Sequence, residues 1–94
     1  MSVHTTVANL AFALAAALKG ALAANDESIK TTGKDLIAPS EAKSLAALVK
    51  RLEDLAAAAM SNDSKAVRQL CDFLDKPELL AEYEAQEEDS TPSP

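Results

Sequence analysis

The chain has 94 residues, of which 48% are apolar and 26% are charged, and its formal net charge is −6. This length fits one small domain and leaves no room for two separate hydrophobic cores. Alanine and leucine dominate the apolar residues, and only 3% of all residues are aromatic. The composition therefore favours helices over strands. We therefore predict an all-α fold, a small helical bundle.

The first predicted element is a long helix over residues 3–24. Its apolar residues recur at alternating spacings of three and four, the heptad pattern of a helix that packs along another helix. Leucines four residues apart widen this apolar face. We attribute Gly20 to the close approach of a neighbouring helix. The heptad positions are Val3, Val7, Leu10, Leu14, Ala17, Ala21 and Ala24, and the leucine stripe is Leu10, Leu14, Leu18 and Leu22.

Residues 25–38 are mostly polar and predict a connection. Pro39-Ser40-Glu41 then starts a second long helix over residues 40–60, because proline and serine favour a helix start and an acid is stabilised in the first turn. Two long helices with apolar seams predict an antiparallel hairpin. The heptad positions of the second helix are Leu45, Leu48, Leu52, Leu55 and Ala59.

Two shorter helices are predicted after the hairpin. The stretch 61–64, Ser-Asn-Asp-Ser, ends the second helix and caps the third, and Pro77 limits the third because the residue before a proline avoids helical angles. The last helix is predicted over about residues 76–87. We expect a single helical domain over residues 1–84 and an acidic, disordered tail over residues 85–94.

The negative charge is concentrated at one end of the chain. Residues 1–74 hold eight acidic and eight basic residues, so the whole excess of acids lies in residues 75–94. No segment concentrates basic residues, which argues against a nucleic-acid partner.

The chemistry-bearing residues are few. The single Cys71 excludes an intrachain disulfide and a multi-cysteine zinc site, and it favours a reducing, cytoplasmic location. His4 is the only histidine, and no motif supports a catalytic pair with Cys71. Two glycines cannot form a glycine-rich phosphate loop. We predict no enzymatic activity, no cofactor and no metal site.

The apolar N-terminal region raises a further alternative. Residues 10–18 resemble the apolar part of a secretory signal, but no Lys or Arg precedes them, and Lys19 and Gly20 interrupt the apolar run directly after it. Residues 7–24 are barely long enough to span a membrane and are mostly alanine, so no membrane span is predicted. A secreted or membrane-active protein that uses helix 3–24 remains the third functional alternative.

The C-terminal apolar residues lead to the first functional hypothesis. Large side chains beside acidic ones are typical of a protein-binding patch, although the packing of helix ends explains the same spacing. We predict a non-enzymatic interaction module, such as an inhibitor, an adaptor or a small regulatory or phage accessory protein, whose protein partner is favoured to be basic. The candidate interface consists of Leu70, Phe73, Leu74, Leu79, Leu80, Tyr83, Glu82, Glu84 and Glu87.

Self-association is the second hypothesis. A hairpin alone leaves its second apolar stripe exposed, and either the shorter helices or a second copy of the chain would cover it. Small seam residues favour tight helix contacts, so we expect a homo-oligomer such as a homodimer, and the structural alternative is a self-assembling helical subunit. The candidate seam consists of Leu10, Leu14, Ala17, Ala21, Leu45, Leu48, Leu52 and Leu55.

Overall fold

The structure, a computed structural model, describes the backbone of residues 2–90 and the side chains of residues 2–86. Within these residues the chain forms four helices and no strand, which confirms the predicted all-α fold. The two long helices pack against each other, as predicted for a hairpin. The helices are α1 (Val3–Thr32), α2 (Pro39–Met60), α3 (Ser64–Phe73) and α4 (Pro77–Ser90).

α1 is eight residues longer than predicted, because residues 25–32 are helical rather than part of a connection. Polar side chains in this segment bond to the helix backbone: the Thr31 hydroxyl, for example, donates to the Glu27 carbonyl at 2.8 Å. The helix stops at Gly33, which has a φ of 72° and whose N–H donates to the Ile29 carbonyl at 2.9 Å. A left-handed residue favours glycine, so Gly33 and not the polar composition marks the helix end.

The other helix boundaries lie close to the predicted ones. α2 has Pro39 in its first turn, and the Asp63 carboxylate caps α3 by accepting from the Lys65 and Ala66 N–H groups at 3.0 and 3.4 Å. α4 begins one residue later than predicted and continues to Ser90, so it includes part of the segment predicted as a tail. Residues 91–94 of the predicted tail lie outside the described residues.

The hydrophobic core lies at one end of the molecule. It uses the first half of α1, the second half of α2, α3 and Tyr83 of α4; we call residues 2–15 and 49–90 the four-helix end. Residues 16–48 form a bare two-helix hairpin, which we call the arm, and Asn25 is its one buried side chain. The buried core residues are Val3, Val7, Ala8, Ala11, Ala15, Val49, Leu52, Ala56, Ala59, Ala66, Val67, Leu70, Cys71 and Tyr83.

The molecule is elongated because the third and fourth helices cover only this end. Its extents are 66 × 17 × 16 Å and its radius of gyration is 16.9 Å, whereas a compact domain of this length has a radius of about 12 Å. α1 packs on the other three helices and α3 packs on α2 and α4, but within residues 2–90 α2 and α4 do not pack on each other. One side of α2 and α3 is therefore left without a covering helix.

The buried face of α1 coincides only in part with the predicted heptad face. Val3 and Val7 are buried as predicted, and Leu14 is half-buried. The other heptad positions, Leu10, Ala17, Ala21 and Ala24, are exposed, and Ala11 and Ala15 are buried instead. Alanine occurs on every side of α1, so the heptad pattern did not single out the buried face. The close helix approach predicted at Gly20 is also wrong for the described residues, because no atom of another helix among them lies within 4 Å of the position that a Cβ would occupy there.

Candidate protein-binding groove

The structure divides the predicted interface between the core and the surface. Leu70 and Tyr83 are buried and belong to the core, whereas Phe73 is 48% exposed. Leu74, Leu79 and Leu80 are half-buried, and of these Leu79 and Leu80 pack against the core. Glu82 and Glu84 are exposed. The side chain of Glu87 lies outside the described side chains.

Tyr83 fastens α4 to the turn between α2 and α3. Its hydroxyl donates to the Asn62 side-chain oxygen at 2.8 Å, and its ring is buried in the core. An ion pair also joins Glu84 of α4 to Arg68 of α3, with 2.8 Å between the carboxylate and the guanidinium. The buried ring and its hydrogen bond give Tyr83 a structural role. The ion pair joins exposed side chains and contributes little.

An open groove of about 290 Å³ lies between α2 and α3. α2 contributes Leu48, Leu52 and Leu55, which share one helix face because they are spaced by four and three residues. Leu52 is buried and the other two leucines are half-buried, so they form an apolar floor. Among the described side chains, none from α4 lines this groove.

α3 forms the opposite wall of the groove with Gln69, Asp72 and Phe73. These residues lie three and four positions apart and therefore share one face of α3. Leu70 lies outside the groove lining and is buried in the core. The short helix thus presents one face to the core and an exposed aromatic ring to the groove.

The rim of the groove carries one charge of each sign, Arg51 on α2 and Asp72 on α3, and both residues are exposed. Among the described side chains the ion pairs are Lys19–Glu53 at 2.6 Å and Arg68–Glu84 at 2.8 Å, and neither Arg51 nor Asp72 belongs to them. Both rim charges remain available to a bound molecule.

The groove combines members of both predicted residue sets. Leu48, Leu52 and Leu55 come from the predicted self-association seam, and Phe73 comes from the predicted interface. The sequence analysis missed Arg51, Gln69 and Asp72; the helical spacing between Phe73 and Gln69 was the one signal that would have indicated the shared face. Of the remaining seam residues, Leu14 and Leu45 are half-buried and Leu10, Ala17 and Ala21 are exposed.

Cys71 and His4 lie outside the groove. Burial raises the pKa of the Cys71 thiol above its ordinary value of 9.0, and the nearby Glu78 carboxylate raises it further. The thiol is therefore protonated at neutral pH and is a poor nucleophile. His4 lies in the first turn of α1, where its Nε2 is 3.3 Å from the Ser2 hydroxyl. Among the described residues no group of His, Cys, Asp and Glu side chains is placed to hold a metal ion.

Comparisons with protein-family models, with curated proteins and with solved structures find no match to this chain.

α1 has an additional property of its own. By length and composition it is the one helix among the described residues that is able to cross a membrane, with a mean hydropathy of 1.7 in its most apolar 18-residue window. Only 22% of that window is buried inside the protein. Packing within the chain therefore accounts for a small part of the apolar surface of α1.

Proposed function

We propose that the chain is a non-enzymatic protein-interaction module that receives an apolar helix of another protein chain in the groove between α2 and α3. The observation that carries this proposal is the position of Phe73, a half-exposed aromatic ring beside an apolar floor of leucines. Aromatic residues at the edge of a desolvated pocket are frequent energetic centres of protein interfaces.

The shape of the groove favours a helix over a small molecule. Its volume of about 290 Å³ lies at the lower limit of small-molecule pockets, which hold about 300–1,000 Å³, and it is open to solvent. A groove between two helices accepts the apolar face of a third helix, whose anchors recur at spacings of three and four residues. Such a helix would cover Phe73 and the half-buried Leu48 and Leu55.

The charges around the groove bear on the choice of partner. A bound helix would place an acid near Arg51 and a base near Asp72. The preference for a basic partner is a separate proposal that rests on the exposed acids Glu78 and Glu82 of α4, since Glu84 is already paired with Arg68. A site of this kind would serve an inhibitor, an adaptor or a small regulatory protein, including a phage accessory protein. The lone cysteine supports a cytoplasmic location.

The test is an affinity capture from the source cells with a matched pair of variants. Phe73→Asp places a charge in the groove, whereas Leu36→Asp places it on an apolar residue that is 66% exposed in the loop between α1 and α2. We expect one stoichiometric protein to be retained by the wild type and by Leu36→Asp, and to be lost with Phe73→Asp. Circular dichroism of both variants checks that the fold is intact, because both positions are exposed.

Two outcomes would contradict the proposed site. Equal capture by the wild type and by Phe73→Asp would place binding elsewhere. Equal loss with both variants would show a general effect of added charge. The captured protein is then purified and its Kd for the three chains is measured directly by calorimetry.

A membrane-associated or secreted protein is the second candidate function, and the small buried share of the apolar window of α1 favours it. Leu10 and Phe12 are exposed on this helix and would enter a lipid surface. Vesicle flotation with the wild type and with Phe12→Asp tests it, together with the intact mass of the protein from source cells. Binding that Phe12→Asp abolishes, or loss of the N-terminal segment, would favour this function over the groove.

A further inference from the structure

We propose that the helix received by the groove belongs to a second copy of this chain, so that two copies pair groove to groove as a two-fold homodimer. This inference rests on the proposed function and names its partner. Phe73 of each copy would lie against the leucine floor of the other copy.

The two rim residues of the groove carry opposite charges. Arg51 and Asp72 stand on opposite walls, are exposed, and take no part in the ion pairs of the described chain. In a two-fold interface, if one residue contacts a second residue of the partner, the second contacts the first in return. If the two grooves face each other with Arg51 of one copy beside Asp72 of the other, the two-fold axis forms two identical ion pairs of this kind.

A second copy of the chain would supply an opposite charge for each of the two rim residues. A partner with a basic face would neutralise Asp72 but would repel Arg51, and an acidic partner would do the reverse. Like charges brought together at an interface disfavour the wrong partner strongly. The rim of the groove carries one positive and one negative residue. The groove of a second copy carries the same two charges and is therefore able to pair with both.

The groove also carries two kinds of apolar surface. The wall from α3 carries the half-exposed Phe73 ring, and the wall from α2 carries the less exposed leucines Leu48, Leu52 and Leu55. In the proposed two-fold pair the Phe73 ring of each copy would contact the leucines of the other copy. α4 does not pack on α2, so it does not stand between the two grooves.

The experiment measures the molar mass in solution by sedimentation or light scattering over a concentration series. The variants are Arg51→Glu, Asp72→Arg and the chain with both substitutions. We expect the wild type to dimerise and each single variant to weaken the dimer about 100-fold, because each changes two attractive contacts into two repulsive ones. Lys50→Glu is the matched control, since it makes the same charge change on α2 outside the groove and is expected to leave the dimer intact.

Mixing the two single variants is the decisive step. A mixture of Arg51→Glu and Asp72→Arg chains pairs Glu with Arg at one contact and Asp with Arg at the other, so we expect the heterodimer to recover wild-type affinity. The double variant restores both pairs within a homodimer and should also recover. A loss of folding cannot produce this pattern, because each single variant regains the interaction only with its complement.

Three results would overturn the homodimer. The first is a wild-type chain that stays monomeric, with a Kd weaker than about 1 mM. The second is a dimer that the single variants leave unchanged, which would place the contact on another surface. The third is a mixture that fails to recover. If the wild type is monomeric while Phe73→Asp still abolishes capture of a different protein, the interaction module stands and only the homodimer fails; if neither a second copy nor another protein binds, both fail.

Discussion

The four-helix end and the arm are built from the same alanine- and leucine-rich helices, yet only the four-helix end has a buried apolar core. At that end α3 and α4 cover the hairpin, so that even alanines such as Ala8, Ala11 and Ala56 are completely buried. In the arm, α1 and α2 have only each other, and leucines such as Leu22 and Leu45 remain half-buried. Burial in this protein is therefore set by how many helices pack together at each position along the long axis of the molecule, and not by local composition.

The two regions are held together by different interactions. The four-helix end relies on apolar packing, which is the dominant favourable term in folding. The arm relies on a half-buried seam and on Asn25, whose side-chain oxygen accepts from the Leu36 and Ile37 N–H groups at 2.7 and 2.9 Å. The ion pair between Lys19 and Glu53 is exposed and contributes little. We expect the arm to open at a lower free energy than the four-helix end.

The largest expected difference concerns thiol reactivity. Cys71 is 1% exposed and its pKa is raised by burial, so we expect alkylation in the native protein to be at least about 1,000-fold slower than in the unfolded chain. An added thiol at an exposed arm position, Ala21→Cys, should react almost as fast as in the unfolded chain. Mass spectrometry of timed alkylation measures both rates. Fast labelling of native Cys71 would contradict a closed four-helix end.

The raised pKa of Cys71 also gives a pH dependence. Because the folded pKa lies above the unfolded value of 9.0, the stability that the neutral thiol contributes is fully present below that pH. It is lost as the pH rises through the folded pKa. The difference in unfolding free energy between the wild type and Cys71→Ala should therefore change across this range, with the wild type losing more stability than the variant.

Leucine truncation gives the next largest difference. We expect Leu70→Ala to lower the free energy of unfolding by about 2–5 kcal/mol, because Leu70 is fully buried and its removal leaves a cavity. Leu22→Ala in the arm should cost only about 1 kcal/mol, since its side chain is half-buried and water fills the space. Denaturant unfolding followed by circular dichroism measures both values. Equal losses would show that the arm is packed as tightly as the four-helix end.

Asn25 gives an intermediate effect inside the arm. Asn25→Ala removes the acceptor of the Leu36 and Ile37 N–H groups, and we expect a loss of about 1–3 kcal/mol. Thr31→Ala is the control, because its hydroxyl bonds only to its own helix and its loss should cost less than about 0.5 kcal/mol. Hydrogen exchange should speed up at the amides of Leu36 and Ile37. Unchanged exchange there would show that Asn25 does not fasten the loop.

Substitution of the two glycines by alanine should give the smallest changes in stability, and the two changes should have opposite signs. Gly20 lies inside α1 with open space around it, so Gly20→Ala should stabilise the protein by up to about 1 kcal/mol. Gly33 has a φ of 72°, so Gly33→Ala should destabilise it by about 1–2 kcal/mol. Thermal unfolding of both variants measures the two shifts. A loss of stability with Gly20→Ala would indicate that another molecule packs closely on this face of α1.

Local signals explain which boundaries were predictable. Pro39 and Asp63 act within one turn of their own positions, through a fixed φ and through capping hydrogen bonds, and both mark helix starts in the structure. The end of α1 was misplaced because polar residues after Ala24 were given more weight than Gly33. A glycine able to adopt a left-handed conformation is the stronger stop signal.

The groove was only partly predictable. Leu48, Leu52 and Leu55 followed from periodicity, and Phe73 from its size, but they belonged to two different hypotheses in the sequence analysis. Arg51 and Asp72 matter only because α3 folds back beside α2, which is a contact between residues about 20 positions apart. Periodicity describes one helix at a time and does not indicate which helix lies opposite.

The sequence by itself determined that this chain is helical, where most of its helices begin, and that its acidic excess lies at the C-terminal end. Those properties depend on propensity, capping and charge, which act over a few residues. Only the tertiary structure decided which face of α1 is buried, that Tyr83 belongs to the core while Phe73 is exposed, and that α2 and α3 enclose a groove. In a helix with alanine on every side, the neighbouring helices and not the pattern select the buried face, because burial is a property of contact.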